Sequence, residues 1–314
     1  MTGNDALRGR RVTVGIDVGG TKIAGGVIDP ATGEILHRQM VPTNAWRGGR
    51  AVLDDAVALA ADLHALAVSE GHGVAGIGVG VAELVDPAGI VRSGHVVGWE
   101  GLPVAERFAA LGPVRVESDV RAAALAEVRF GAGMGTRHAV YVTVGTGISC
   151  CLVIDGVPFA GARGNALVLA SGPTTTRCPI CGETTTVVLE DFASGAAIAN
   201  RYATLAGQEA DGARVVLAAA ELGDPAAIEI VATAATALGS AIGLLINVTD
   251  PDVLILGGGL GVAPGPFHDQ LIAATRDHIW SPETRALPIV PAAFGPNSGL
   301  IGAGLAGAPA RASP

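Results

Sequence analysis

Apolar Val12, Val14 and Ile16 alternate with small or polar residues in RVTVGIDVGG, a pattern that predicts a half-buried strand. The run enters a glycine turn, GGTK, and leaves it through a second strand, IAGGVID; DPATGE then predicts a hairpin into a third strand, ILHRQMV. Over residues 50–69 the apolar positions Val52, Leu53, Ala56, Val57, Ala60, Leu63 and Leu66 recur at helical spacing. GVAGIGVG, residues 73–80, predicts a buried strand, and GPVRVESD predicts a strand leading into an Ala-rich helix from Val120 to Phe130.

The opening pattern then recurs. AVYVTVGTGISCCLVIDG, residues 139–156, again reads strand, Gly-Thr-Gly turn, strand and hairpin, and ends on the same Val-Ile-Asp as residues 27–29. This predicts an internal duplication, two α/β lobes that each begin with a strand-turn-strand unit. DVLILGGGLG, residues 252–261, predicts a parallel-type strand ending in three glycines before a helix. No low-complexity linker separates the halves, so closely hinged lobes with a cleft between them are expected. The expected division is residues 1–118 for the first lobe, with a helix at about 300–314 packing back on it, and 119–299 for the second. The stretch from Pro225 to Val248 approaches membrane-span length, but it carries Glu229, Thr233, Thr236, Ser240 and Asn247. It also begins at Asp224-Pro225, a helix start, so a buried core helix is expected.

Composition narrows the picture. Hydrophobic residues make up 49% of 314 positions and aromatics only 4%, so the core must be built from Ala, Val, Leu and Ile. Forty-six glycines imply tight turns and close backbone approaches. A net charge of −9 argues against nucleic acid, whose phosphates need a basic face. Lys22 is the only lysine. Four cysteines make no disulfide framework, and no basic, apolar signal precedes the first strand, which points to a reducing cytoplasm and no membrane.

Gly-Thr turns between strands aim backbone N–H groups and a hydroxyl at one point, an anion nest. One such turn reads equally well as plain hairpin chemistry. Two of them at the start of similar lobes, together with Gly257, Gly258 and Gly259 where a strand meets a helix, favour a nucleotide. GIDVGGTKIAGGVID, VTVGTGIS and DVLILGGGLG together resemble the ROK family of sugar kinases and sugar-responsive repressors, within the actin-like ATPase superfamily, over about residues 12–305. The resemblance implies two actin-like (ribonuclease H-like) lobes with ATP and substrate in the cleft. It implies that Asp17, Gly19, Gly20, Thr21 and Lys22 lie near the phosphates and Mg2+, that Gly145, Thr146 and Gly147 form a second phosphate loop, and that Gly257–Gly259 flank the adenosine. It also implies a small-molecule partner, a sugar or cyclitol, and a homodimer, since homodimers are common among such proteins.

VESDVRAAALAE, residues 116–127, puts Asp119 where a strand ends and a helix starts. One reading is a helix N-cap. The other, which does not exclude it, is a general base kept ionised by the helix N-terminus and poised to take a hydroxyl proton. The family pattern here is Glu-Asn-Asp; this chain has Glu117-Ser118-Asp119, so the base survives and the amide that would contact a sugar becomes a hydroxyl. The family's Gly-Glu-Ile-Gly-His segment corresponds to GARGNALVLASG, with Val168 at the Glu and Ser171 at the His. Its zinc cluster corresponds to RCPICGETTTVVLE, where Cys178 and Cys181 remain, Val188 replaces a third cysteine and Glu190 is kept. The apolar ALVL at 166–169 reads as packing. In GVGVAELVD, Ala82 and Glu83 replace the usual Pro-Gly. The expected substrate residues are therefore Ser118, Asp119, Glu190, Gly80, Asn165 and Ser171, with Arg163 able to refill the altered site.

These features point to an ATP-dependent kinase acting on the primary hydroxyl of a hexose-like compound, such as 3-amino-3-deoxyglucose or a C7 cyclitol of the kind found in antibiotic pathways. An ordinary glucokinase and a non-catalytic sugar or nucleotide sensor are the alternatives. A repressor would carry a helix-turn-helix module, for which the start of the first strand by Val12 leaves no room. A structural zinc site needs four ligands, and Ser171 and Val188 stand at two of the expected positions, so no structural metal is expected. Elemental analysis after dialysis should give well under one zinc per chain, and a chelator should leave the melting temperature unchanged; one tightly held zinc per chain would contradict this.

Overall fold

The computed structural model describes residues 9–166, 168–177, 182–207 and 209–309. In chain order it contains β1 (Arg11–Val18), β2 (Lys22–Ile28), β3 (Ile35–Pro42), α1 (Gly49–Ser69), β4 (Gly73–Val81), α2 (Val104–Phe108), β5 (Val114–Ser118) and α3 (Asp119–Phe130). There follow β6 (His138–Val144), β7 (Ile148–Ile154), β8 (Val157–Pro158), β9 (Pro173–Arg177), β10 (Thr184–Val188), α4 (Glu190–Ala193), α5 (Gly195–Ala206), α6 (Ala213–Glu221) and α7 (Pro225–Thr249). The chain closes with β11 (Val253–Gly257), α8 (Gly259–Val262), α9 (Pro266–Asp277), α10 (Pro282–Arg285), β12 (Ile289–Pro291) and α11 (Ser298–Ala306). Contacts divide it into two compact units, Met1–Gly135 with Gly156–Ala166 and Pro296–Pro314, and Thr136–Asp155 with Leu167–Gly295.

In the first unit the sheet runs β3-β2-β1-β4-β5, antiparallel from β1 through β3 and parallel from β1 through β5. β1 is buried on both faces from Val12 to Ile16, where alternation alone predicts one, because α1 and α11 both pack on it. α11 lies so near the sheet that a Cβ at Gly78 would stand 1.7 Å from the carbonyl oxygen of Ala303. It lies equally near α3: a Cβ at Gly302 would stand 1.7 Å from the carbonyl oxygen of Ala122. These close approaches account for part of the glycine content and for the small residues of SGLIGAGLA. α3, expected in the second lobe, packs on α11 and β5 and belongs to the first unit, because its Ala-rich side buries Ala122, Ala124 and Ala126. Buried Ser298 ties the same two helices by donating to Glu127 at 2.8 Å.

In the second unit the sheet runs β12-β11-β6-β7, with β6 and β7 antiparallel and β6, β11 and β12 parallel. These four strands repeat the order and sense of β5-β4-β1-β2 in the first sheet, as the duplicated pattern predicts. α7 begins as expected: Pro225 is in the first turn, and the Asp224 carboxylate accepts the amides of Ala226 and Ala227 at 2.9 and 3.0 Å. By length and composition α7 could cross a membrane, yet half of its most apolar stretch is buried, and it packs on α5, α6 and α9. The Thr-rich segments on either side of the cysteine pair form an antiparallel ribbon, β9 with β10, a pairing that suits β-branched residues. Cys178 and Cys181 lie outside the described residues. Of the ALVL run, Val168 is 41% exposed rather than packed, while Ala170 just beyond it is buried.

Candidate active site

Strand register assembles the site of the first unit. Asp17 on β1 pairs with Gly80 on β4, Gly80 pairs with Glu117 on β5, and Val81 pairs with Ser118, so the strand ends bring Asp17, Gly80, Ser118 and Asp119 together. A Cβ at Gly80 would meet nothing nearer than 3.5 Å, so packing does not demand glycine there. The first residues of α11 close on the same point: a Cβ at Gly299 would stand 2.7 Å from Oδ2 of Asp17. Beside it, the Gly19 amide donates to the Lys22 carbonyl at 3.0 Å and closes the turn between β1 and β2. Thr43 braces that turn, its hydroxyl donating to the Gly19 carbonyl at 2.6 Å and its amide to the Thr21 carbonyl at 3.0 Å. The amides of Gly20 and Thr21 have no partner among the described residues, as an anion nest requires.

Asp119 is the first residue of α3 and not its N-cap, which is Ser118 without a side-chain capping bond. Its Oδ1 accepts the amide of Val120 at 2.7 Å. The helix N-terminus does not dominate its ionisation. Burial pushes the carboxyl up to about 6 from 3.8, against the lowering effect of the Val120 amide and Arg121, with Glu83 adding to the rise. Asp17 goes further, up to about 7, through burial first and then the negative charge of Asp119, which Lys22 only partly offsets. Arg121 is a contributor that sequence reasoning missed. Its buried guanidinium pairs with Glu117 and donates to the carbonyls of Val85 at 2.6 Å and Gly164 at 3.0 Å, tying the segments around both to the start of α3. Those segments line a cavity of about 540 Å³ that holds Asn165 together with Arg163, Arg92 and Asp86.

The second unit holds the remaining expected residues. The Gly145 amide donates to the Gly147 carbonyl at 2.9 Å, and the first amide of α5, Gly195, donates to the Gly145 carbonyl at 2.8 Å. Glu190 is brought to this loop: its Oε2 accepts the amide of Ile148 at 2.7 Å and would lie 2.8 Å from a Cβ at Gly147. Thr146 lies between those two glycines, and Ser171 is exposed. Of the three glycines after β11, Gly257 is pressed against Tyr141 and Gly258 against Val144, and only Gly259 faces open space.

The proton affinity of Asp17 has a measurable consequence. Its carboxyl is raised in the folded state, so between 3.8 and about 7 the native protein binds more protons than the unfolded chain. Stability therefore falls as pH rises through that window, and the cost is fully present above it. Asp17→Asn, without ligands, should melt above the wild type at pH 8, with a smaller difference at pH 5; a lower melting temperature at pH 8 would contradict this.

A glucokinase of Streptomyces coelicolor is 29% identical over 315 residues, covering 93% of this chain and 96% of that protein. Among solved structures, the ROK hexokinase of Thermus thermophilus is 32% identical with a TM-score of 0.78, covering 94% of this chain and 97% of its own. The ROK family glucokinase of Streptomyces griseus, solved with glucose and AMPPNP, is 29% identical with a TM-score of 0.75, covering 93% and 98%. With residues 13–306 matching the ROK family model as well, the chain belongs to the ROK family.

Proposed function

We propose that this chain transfers the γ-phosphoryl group of ATP to the primary hydroxyl of a hexose-like compound altered on its ring, an amino sugar such as 3-amino-3-deoxyglucose or a C7 cyclitol. That it is an ATP-dependent sugar kinase accords with its family and with relatives named glucokinase and hexokinase. The observation that carries the chemistry is the pair Asp17 and Asp119 at adjoining strand ends, beside the braced Gly19–Lys22 turn.

In this mechanism the ionised Asp119 accepts the proton of the attacking hydroxyl as its oxygen bonds to the γ-phosphorus. The bond from phosphorus to the β–γ bridging oxygen breaks, and ADP leaves with that electron pair. The Gly20 and Thr21 amides and Lys22 face the phosphates. Two mutually repelling carboxylates fit a divalent cation that needs only one or two protein ligands, so Asp17 would hold Mg2+. The bound ion would spread the charge developing on the phosphoryl oxygens. Gly145–Gly147 and Gly259 are the second unit's nucleotide candidates.

The ring preference rests on what replaces the family's polar contacts. Val168 offers no hydrogen bond, Ser171 is short, and Ser118 stands in for an amide. A buried sugar hydroxyl left without a partner would cost about 1–3 kcal/mol. Selection is strong only where buried polar groups must be matched, so a changed C1, C2 or C3 should be tolerated while the primary hydroxyl is still required. The names of the relatives favour the competing glucokinase reading.

Asp119→Asn should keep less than about a hundredth of the turnover while binding ATP normally, since general-base contributions run to about 10²–10⁴-fold; a larger residue of activity would remove it as the base. A coupled ADP-release assay giving kcat/KM for glucose, glucosamine, 3-amino-3-deoxyglucose, mannose, N-acetylmannosamine and valiolone tests the substrate. A modified compound should lead. Glucose ahead of every other by tenfold or more would establish the glucokinase reading, and no turnover on any sugar would point to the sensor.

A further inference from the structure

Glu83, which stands where the family pattern has glycine, is 6% exposed, and donors enclose its carboxylate. Oε1 accepts the amides of Val96 and Val97 at 2.8 Å each and of Gly98 at 3.4 Å. Oε2 accepts the amide of His95 at 3.0 Å and the hydroxyl of Ser93, whose oxygen in turn accepts the Leu84 amide at 2.9 Å. Four successive amides converging on one carboxylate form an anion nest filled by the chain itself. Burial would raise the proton affinity of Glu83, but the Ser93 hydroxyl and these amides outweigh it and hold the carboxyl below its usual range.

The nest leads directly to the phosphate turn. A Cβ at Gly20 would stand 2.9 Å from Cγ1 of Val96, so the Val96 side chain rests on Gly20. Behind it the segment is pinned: Trp99 is fully buried, and a Cβ at Gly49 would stand 2.0 Å from the Gly98 carbonyl oxygen. The turn is therefore braced by Thr43, just after β3, and by Val96 from the segment that Glu83 organises.

We propose that Glu83 is a positioning residue for nucleotide binding, fixing residues 93–98 and, through Val96, holding the Gly19–Lys22 turn in the shape that takes the phosphates of a nucleoside triphosphate. The proposal rests on the kinase reading in naming those phosphates as the ligand. The carboxylate is needed as such. An amide of the same size would turn an N–H group towards donors on one side, and an aspartate would not reach all of the amides.

The test is calorimetric titration of the full chain with Mg·AMPPNP, which needs no sugar turnover, together with amide exchange at residues 95–98. Glu83→Gln and Val96→Ala should each weaken binding at least about fivefold, and only Glu83→Gln should speed exchange at 95–98. The two act through one contact, so the double variant should bind no more weakly than Glu83→Gln alone. KM for the sugar should stay within about twofold of wild type in both single variants. Binding by Glu83→Gln within twofold of wild type, or losses that multiply in the double variant, would overturn the proposal. If Glu83→Gln does not fold, Val96→Ala decides, and unchanged binding there overturns it. Wild-type protein that binds no Mg·AMPPNP overturns it also, whereas nucleotide binding with this mutational pattern but no sugar turnover would sink the kinase reading alone.

Discussion

Two carboxylates that repel each other, Asp17 and Asp119, are held at neighbouring strand ends with protein around them. Burial makes the charge on both costly, Asp119 adds to the cost at Asp17, and Glu83 adds to the cost at Asp119. Lys22 and Arg121 offset part of the cost. Such a pair favours any event that brings positive charge, whether a proton taken from a hydroxyl or a divalent cation. In the proposed mechanism, general-base chemistry and cation binding would share this one physical origin.

Keeping the pair in place requires backbones to approach closely. α11 meets Asp17 at Gly299, α3 at Gly302 and β4 across Gly78; a side chain at Gly302 or Gly78 would force the elements apart, and one at Gly299 would displace the Asp17 carboxylate. The core of the first unit is built mainly of Val, Ile, Leu and Ala, with Trp99 and Phe108 among its aromatics. The Ala-rich side of α3 and the glycines of α11 are two halves of one contact, and Asp119 is carried on it.

Three carboxylates in this unit show that burial alone does not set ionisation. Asp17 and Asp119 are pushed up, whereas Glu83, among the most buried polar side chains, is pulled down. The difference lies in the donors. Glu83 accepts four amides from residues 95–98 and a hydroxyl, whereas Asp119 is met only by the amides at the start of its own helix, chiefly that of Val120. A carboxylate saturated by backbone is suited to a brace, and one left short of donors keeps the proton affinity that the proposed chemistry requires.

Most strands of the two large sheets, the glycine turns, the duplication and the start of α7 at Asp224-Pro225 were legible along the chain, because apolar periodicity and turn chemistry are local and depend on neighbours a few positions away; β9, β10 and β12 were not legible as strands. The candidacy of Asp119, where a strand ends and a helix starts, was legible too, whereas that of Asp17 came from the resemblance to the ROK family. Tertiary structure alone decided that α3 stays with the first unit, that Val168 is exposed, and that the Asp119 carboxyl is raised despite its place at a helix N-terminus. It alone revealed Glu83 and Arg121 as organisers. The donors to Glu83 come from residues 93–98, and the acceptors of Arg121 lie 36 and 43 positions away at Val85 and Gly164. A local pattern specifies which residue is polar; how many partners it meets, and so whether it holds a proton or a loop, depends on distant segments that only folding brings together.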